Sequence, residues 1–159
     1  MENTQIKLRQ TVLSDLDILF EFQLDSEANY LAAFTPKDPS NKKAYIENYS
    51  KHVNDPTINM QTILVDGKIV GSVAKFILEG DTEITYWIDK SFWGKGIATT
   101  ALKNLLVIVN TRPIFGRVAF DNFGSQKVLE KCGFVKIGSD KGFSSARKKE
   151  IEEFIYKLE

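Results

Sequence analysis

One segment near the middle of the chain constrains the fold more than any other. Residues 82–106 read as an alternating strand, a short loop that contains Gly94-Lys95-Gly96, and the start of an apolar-striped helix. Two nearly adjacent glycines let the backbone turn tightly, and the first turn of a helix leaves N–H groups unpaired at its positive end. The segment therefore predicts a backbone cradle for an anion. The same two glycines are also compatible with a plain strand-to-helix turn.

The elements on either side of this segment predict a mixed sheet. We expect strands over 6–10, 59–65, 68–78, 82–88, 114–120, 134–138 and 150–158. We expect helices that are capped by Ser14, by Ser40 and by Asn122, a long helix over about 94–110, and an irregular stretch over 29–39. Asp66-Gly67 is a strong hairpin signal. This order favours an α/β (α+β) fold with a mixed, mostly antiparallel central sheet of six to seven strands and about four helices.

Composition limits the classes of function. The 159 residues suit a single domain over 1–159, and 21 Lys and Arg balance 21 Asp and Glu, which argues against nucleic-acid and anionic-membrane partners. The longest apolar runs have five residues, far short of the roughly 20 that span a bilayer. Cys132 and His52, the only residues of their types, cannot form an ordinary zinc site. We expect a metal-free cytoplasmic protein.

Two motifs resemble those of the GCN5-related N-acetyltransferases (GNAT family), in the RimJ/RimL-type branch of ribosomal-protein N-terminal acetyltransferases. The first is Gln/Arg-x-x-Gly-x-Gly/Ala at the start of a helix, which is matched by residues 91–96, with Ser91 as a departure. The second is Asn-x-x-Ser followed by Leu-Glu-Lys-x-Gly-Phe, matched by residues 122–125 and 129–134. Two motifs about 30 residues apart, each on its expected element, are more specific than either alone, and the resemblance implies the GNAT fold.

The resemblance implies that acetyl-CoA is bound as a co-substrate. In the family, backbone amides of the glycine loop hold the pyrophosphate, which here implies Gly94, Lys95, Gly96, Ile97, Ala98 and Thr99. The pantetheine arm would pair with the main chain of Trp87, Ile88 and Asp89, and Asn122 would contact it from the other side or serve only as a helix cap. Lys127 and Lys131 could reach the 3′-phosphate or form a solvated helix face.

Acetyl transfer to an amine needs a proton acceptor and a proton source for the leaving thiolate. Glu83 is the candidate base, because alternation places it with Thr85 and Trp87 on one face of the strand. The alternative is an exposed glutamate without a role. Leu129 stands where many family members have a tyrosine that acts as the general acid. The resemblance implies Ser125 as the proton source here, with water-mediated protonation or a free thiolate as the alternative.

These residues predict an enzyme that transfers the acetyl group of acetyl-CoA to a primary amine by direct attack in a ternary complex. Candidate acceptors are a protein N-terminal amine, an amino acid, a polyamine and an aminoglycoside-like drug. We expect the acceptor to enter from the side built by the loops 30–38 and 140–148, because these loops flank the cofactor cleft in the family. The alternative function is a non-catalytic acyl-CoA-binding sensor or interaction module. The resemblance also admits a homodimer.

Overall fold

The computed structural model describes residues 5–159 and has a seven-stranded sheet at its centre. The strand order is β1-β2-β3-β4-β5-β7-β6. Neighbouring strands are antiparallel except β4 and β5, which are parallel. The strands are β1 (Ile6–Gln10), β2 (Asn59–Val65), β3 (Lys68–Leu78), β4 (Asp81–Ile88), β5 (Ile114–Ala119), β6 (Val135–Ser144) and β7 (Lys149–Leu158). The predicted mixed, mostly antiparallel sheet is confirmed.

Within residues 5–159, five α-helices cover the two faces of the sheet, where we predicted about four. They are α1 (Leu16–Phe22), α2 (Ser26–Ala32), α3 (Lys42–Asn54), α4 (Ile97–Ile108) and α5 (Phe123–Lys131). The main apolar core lies between the sheet and the pair α4 and α5, where Leu102, Leu105 and Leu129 are buried. Helices α1 and α3 pack on the opposite face around Leu16 and Met60. Alternate residues of the central strands therefore face different helices.

Two predicted helix caps are wrong. Ser14 lies inside a short 3₁₀ turn that precedes α1 and is not its N-cap. Asn41 rather than Ser40 caps α3, because the Asn41 side chain accepts a hydrogen bond from the amide of Ala44 at 3.0 Å. The hydroxyl of Ser40 donates instead to Asp38. Adjacent polar residues compete for the same role, and local geometry decides between them.

Helix α2 occupies part of the stretch that we predicted to be irregular. Asp25 caps it by accepting a hydrogen bond from the amide of Ala28 at 2.8 Å. The helix ends at Ala32, and the C-cap residue Ala33 has a left-handed φ of 66°. Ala33 is buried against Ala119 and Ile151 of the sheet. A seven-residue helix has little stability on its own in water, so packing on the sheet stabilises α2.

The predicted bounds of two further elements are corrected. Helix α4 begins at Ile97 and not at residue 94, because Gly94 and Gly96 adopt left-handed φ values of 76° and 74°. Strand β6 continues to Ser144, because its pairing with β7 extends to the Ser144↔Lys149 position. The 66–67 hairpin is confirmed, since β2 and β3 pair antiparallel on either side of it.

Candidate active site

A cleft of ≈ 1130 Å³ opens where β4 and β5 separate. The two strands pair at only two positions, Glu83↔Phe115 and Ile84↔Gly116. From Thr85 to Ile88, the β4 edge that faces the cleft therefore has no strand partner. An unpaired strand edge presents free N–H and C=O groups to an extended ligand.

The glycine loop and the start of α4 form one end of the cleft. At Gly94 and Gly96, no heavy atom lies within 4 Å of the position that a Cβ would take. Thr100 is the first residue of α4 whose amide bonds back into the helix, to the Gly96 carbonyl at 3.1 Å. The amides of residues 97–99 therefore have no intrahelical partner. All six predicted residues of this cradle, 94–99, line the cleft.

The charges around this end favour an anion. Lys95, Lys127 and Lys131 line the cleft, and the first turn of α4 carries no acidic residue. The positive end of the α4 dipole points to the same place. Open space, free amides and lysine side chains are what a bound pyrophosphate requires, so the residues present fit the predicted coenzyme.

Of the three residues predicted to pair with the pantetheine arm, the structure brings two to the cleft. Trp87 and Ile88 line it, and the indole N–H of Trp93 donates to the Ile88 carbonyl at 2.9 Å. Asp89 does not line the cleft: its amide donates to the Val70 carbonyl at 2.8 Å, and its side chain accepts from Ser91. The amide and side chain of Asp89 are thus already hydrogen-bonded to β3 and to the following turn.

Asn122 lies at the opposite wall, at the start of α5. Its Oδ1 accepts a hydrogen bond from the amide of Ser125 at 3.3 Å, which makes it the N-cap of α5. Its Nδ2 donates to the Leu31 carbonyl at 3.3 Å. Asn122 also lines the cleft, so the cap and a position beside a bound ligand occur together.

Glu83 is buried at the point where the two strands separate. It is 3% exposed and lines the cleft, so the alternative of an exposed strand glutamate is wrong. Its Oε2 accepts a hydrogen bond from Nε of Arg117 at 3.2 Å. Burial raises the pKa of Glu83 above its ordinary value, although Arg117 opposes the rise. A raised pKa makes this carboxylate a stronger base than an exposed glutamate.

The side chain of Arg117 is shared by Glu83 and two further carboxylates, those of Glu153 and Asp140. Sequence reasoning missed Arg117, Glu153 and Asp140. Nη1 of Arg117 lies 3.4 Å from Glu153 and 3.9 Å from Asp140. Burial also raises the pKa of Glu153. These residues come from β5, β7 and β6, and one guanidinium is shared by three carboxylates. The surroundings of Glu83 are therefore net acidic, which favours a cationic acceptor.

Ser125 lies on the far wall of the cleft, in the first turn of α5. Its Oγ is hydrogen-bonded to the hydroxyl of Tyr86, on β4. Sequence reasoning missed Tyr86, although alternation places it on the face of β4 opposite to Glu83. Leu129, at the position of the family's acidic tyrosine, is 2% exposed and belongs to the apolar core.

The end of the cleft near residues 30–38 is held by long-range side-chain contacts. Arg147 forms a two-point ion pair with Asp121, with N···O distances of 2.6 and 2.7 Å. Its Nε also donates to the carbonyl of Tyr30 at 2.8 Å. Ser144 donates to the Ala33 carbonyl at 2.6 Å. These contacts hold the end of α2 against the β6–β7 hairpin.

Within residues 5–159, no group of three or more His, Cys, Asp and Glu side chains is placed to hold a metal ion. Over the same residues, no helix has the length and apolar character needed to cross a membrane.

Comparison with solved structures identifies the class of fold. The ribosomal L7/L12 alpha-N-protein acetyltransferase RimL in complex with coenzyme A aligns with a TM-score of 0.80 and 18% identity, over 94% of this chain and 92% of that one. The spermidine N-acetyltransferase of Vibrio cholerae, in complex with coenzyme A and spermine, aligns with a TM-score of 0.78 and 22% identity, over 95% and 94% of the two chains. The fold is that of an acetyltransferase.

Sequence comparison then gives the family. The model of the acetyltransferase (GNAT) domain matches residues 5–135. The chain is also 25% identical to N-acetyltransferase p20 of Bacillus licheniformis, itself uncharacterized, over 97% of this chain and 92% of that one. The chain therefore belongs to the GNAT family and is an acetyl-CoA-dependent acyltransferase, as the two motifs predicted.

Proposed function

We propose that this protein transfers the acetyl group of acetyl-CoA to a weakly basic primary amine, such as a protein N-terminal α-amino group, by direct attack in a ternary complex. One observation carries the proposal. Where β4 separates from β5, the carboxylate of Glu83 and the hydroxyl of Ser125 lie on the walls of one cleft. The free amides of the α4 start form another wall of that cleft.

Glu83 takes the proton from the acceptor nitrogen, directly or through one water. Its raised pKa increases its basicity, and Arg117 keeps its Oε2 in place by the hydrogen bond at 3.2 Å. An ammonium ion is attracted to the surrounding carboxylates and becomes a nucleophile only after it loses a proton. Binding and deprotonation thus occur at the same end of the cleft.

The coenzyme is held by main-chain groups. Residues 94–99 hold the pyrophosphate through free amides and the α4 dipole, and the unpaired edge of β4 from Thr85 to Ile88 aligns the pantetheine arm as an added strand. Asn122 is adjacent on the other side. The acetyl-CoA thioester supplies the activated acyl group, and this alignment places it between Glu83 and Ser125.

Ser125 stabilises the departing sulfur by donating a hydrogen bond from its hydroxyl. The bond between the acetyl carbon and sulfur breaks while the new bond to nitrogen forms, and the electron pair of the broken bond stays on sulfur. An ammonium acceptor loses two protons in all. The first leaves through Glu83 to solvent before the attack, and the second leaves the nitrogen as the amide forms and balances the proton that the free thiol finally carries. No metal is needed in this scheme.

The choice of acceptor class depends on proton arithmetic. An α-amino group with a pKa of about 8 costs under roughly 1 kcal/mol to deprotonate near pH 7.4, whereas a lysine amine at about 10.4 costs about 4 kcal/mol. One partly neutralised carboxylate deprotonates the first more easily. RimL, which shares the fold at 18% identity, is named for α-amino acetylation, and this supports the same choice here.

The test is a thiol-release assay with acetyl-CoA and matched acceptors. One peptide has a free N-terminus and no lysine, and its partner has a blocked N-terminus and one internal lysine. We expect faster thiol release with the first, and mass spectrometry should place the acetyl group on the α-amine. Acetylation of internal lysines alone would contradict the proposed acceptor class.

Polyamines and aminoglycosides complete the panel, because the acidic surroundings of Glu83 also suit polycations. Coenzyme A binding without turnover of any amine would favour the alternative of a non-catalytic acyl-CoA sensor. Steady turnover well above the rate of acetyl-CoA hydrolysis would exclude that alternative.

A further inference from the structure

We infer that Tyr86 is a positioning residue for the thiol leaving group: it directs the Ser125 hydroxyl toward the sulfur of the coenzyme. This inference rests on the proposed function, because it takes Ser125 as the group that stabilises the leaving sulfur. Tyr86 belongs to β4 and Ser125 to α5, so their hydrogen bond spans the cleft at the separation of the sheet.

The direction of this hydrogen bond follows from its surroundings. The Tyr86 hydroxyl oxygen lies 3.3 Å from the Ser125 carbonyl, which can only accept, and it also contacts Ser125 Oγ. A phenol is a stronger donor than an aliphatic hydroxyl, because its proton is far more acidic. The Tyr86 hydroxyl has one hydrogen for these two acceptors, and we assign it to Oγ, because Oγ is the nearer acceptor and the phenol is the stronger donor. The hydrogen of Ser125 Oγ then remains free for another acceptor.

The rest of Ser125 is already held in place. Its amide donates to the Asn122 side chain at 3.3 Å, which ties its backbone to the cap of α5. The remaining freedom is rotation of its side chain and of its hydroxyl hydrogen. The Tyr86 hydroxyl occupies one side of Oγ, so the Ser125 hydrogen points away from Tyr86. A hydrogen-bond acceptor in the cleft, such as a thiolate, can accept a hydrogen bond from the Ser125 hydroxyl.

Tyr86 supplies a hydrogen bond rather than a proton. Burial raises its pKa to about 12, whereas an ordinary alkyl thiol ionises near 8.5. Complete transfer of the phenolic proton to a thiolate would therefore be unfavourable. The chain Tyr86 Oη–H···Ser125 Oγ–H···S⁻ instead spreads the negative charge over two polarised hydrogen bonds. The thiolate leaves as an anion and is later protonated from solvent.

The test measures the ionisation of coenzyme A in its complex with the protein, which requires neither an acceptor nor turnover. The pKa of the bound thiol is obtained from the ultraviolet absorbance of the thiolate as a function of pH. Tyr86→Phe and Ser125→Ala should each raise that pKa, with Tyr86→Phe raising it by about 0.3 to 1, the equivalent of one hydrogen bond. Every variant keeps Glu83 and Lys127, which also line the cleft, so their influence cancels.

The double variant decides whether Tyr86 acts through Ser125. In a Ser125→Ala background, Tyr86→Phe should cause no further change in thiol pKa or in kcat. Alone, it should lower kcat roughly 2- to 12-fold, with the KM for acetyl-CoA within twofold of wild type. Tyr156→Phe is the matched control, because it removes a phenolic hydroxyl from a buried tyrosine outside the cleft. It should leave both quantities unchanged.

Equal effects of Tyr86→Phe with and without Ser125 would overturn the inference, because Tyr86 would then act independently. A lower melting temperature with unchanged thiol pKa and kcat would also overturn it, because the role would be structural. A lowered thiol pKa that depends on both residues, without turnover of any amine, would support the inference while the proposed function fails. A wild-type chain that binds no coenzyme A would overturn both.

Discussion

The two ends of the cleft are built in different ways. At the coenzyme end, the glycine loop and the start of α4 offer main-chain amides from consecutive residues, 94–99. The end that we propose for the acceptor is held instead by side chains that donate to main-chain carbonyls far along the chain. Ser144 donates to Ala33, 111 residues away, and Arg147 donates to Tyr30, 117 residues away.

This difference separates a general function from a specific one. A backbone cradle depends on glycines and on a helix start, and most of its side chains can change without loss of the amides. A wall made of side-chain contacts changes shape with each substitution. The coenzyme end is therefore suited to one constant ligand, and we propose that the other end determines which amine this chain acetylates.

The largest effect is expected where the two ends meet. Glu83→Gln should lower kcat by roughly 10²- to 10⁴-fold, the range of general base catalysis, with coenzyme A affinity preserved. The loss should shrink as pH rises, because the acceptor then arrives already neutral. Steady-state kinetics from pH 6 to 9 measure this, with Glu153→Gln as the comparison. Full activity of Glu83→Gln across this range would show that the carboxylate is not the base.

A substitution in the glycine loop should affect only the coenzyme end. Coenzyme A at about 100 times its Kd should stabilise the wild type by roughly 2.7 kcal/mol, which is about 5 to 11 °C in Tm for a chain of this size. Gly96→Glu should abolish this shift, because its side chain would occupy the open space of the cradle.

Gly67→Glu is the matched control for that measurement. Gly67 has a φ of 83°, no heavy atom within 4 Å of its Cβ position and no place in the cleft. It should show the same backbone strain and keep the full response to coenzyme A. A folded Gly96→Glu variant that still responds fully would argue against pyrophosphate binding at this loop.

At the acceptor end, Arg147→Met should lower the free energy of unfolding by about 1.5 to 3 kcal/mol, the value of hydrogen bonds to a charged group. The Arg147 side chain is 2% exposed, and its hydrogen bonds hold the pKa of Asp121 below the ordinary value. The KM for the acceptor should rise, while the Tm response to coenzyme A should remain.

The sign of the pH dependence follows from Asp121. A lowered folded pKa contributes stability above the unfolded value of about 3.9, and this stability is lost as pH falls through the folded pKa. The penalty of Arg147→Met should therefore be complete at pH 7 and should shrink below about pH 4. Lys141→Met, on the same hairpin, removes an exposed charge and should show little penalty. Denaturation at several pH values would reveal a constant penalty if the ion pair were unimportant.

The smallest effect is expected on the acceptor KM when two glycines of strand β6, Gly142 and Gly138, are replaced by alanine. An alanine Cβ at Gly142 would lie 3.2 Å from Cε1 of Phe34, whereas at Gly138 nothing lies within 4 Å. Gly142→Ala should displace the Phe34 ring by a few tenths of an ångström. The acceptor KM should change roughly two- to tenfold, or about 0.4 to 1.4 kcal/mol. Gly138→Ala should leave it unchanged, and equal values for both variants would place the acceptor away from Phe34.

The features that could be predicted from sequence depend on neighbouring residues. Period-two alternation located the strands and placed Glu83 with Thr85 and Trp87 on one face of β4. The 66–67 turn located a hairpin, and the glycine loop located the start of α4 within three residues. These signals are local, because each reflects the backbone preferences of residues a few positions apart.

Only the tertiary structure decided what each side chain touches. Alternation shows which face of β4 Glu83 occupies, but Arg117 reaches it from 34 residues away. The bond between Tyr86 and Ser125 spans 39 residues and exists because α5, which packs on α4 and β5, begins beside the point where the sheet separates. The short helix α2 has a weak local signal and is held by packing on the sheet. The chain's own sequence thus determined where the backbone cradle of residues 94–99 forms, whereas contacts between distant elements decided what surrounds Glu83 and Ser125.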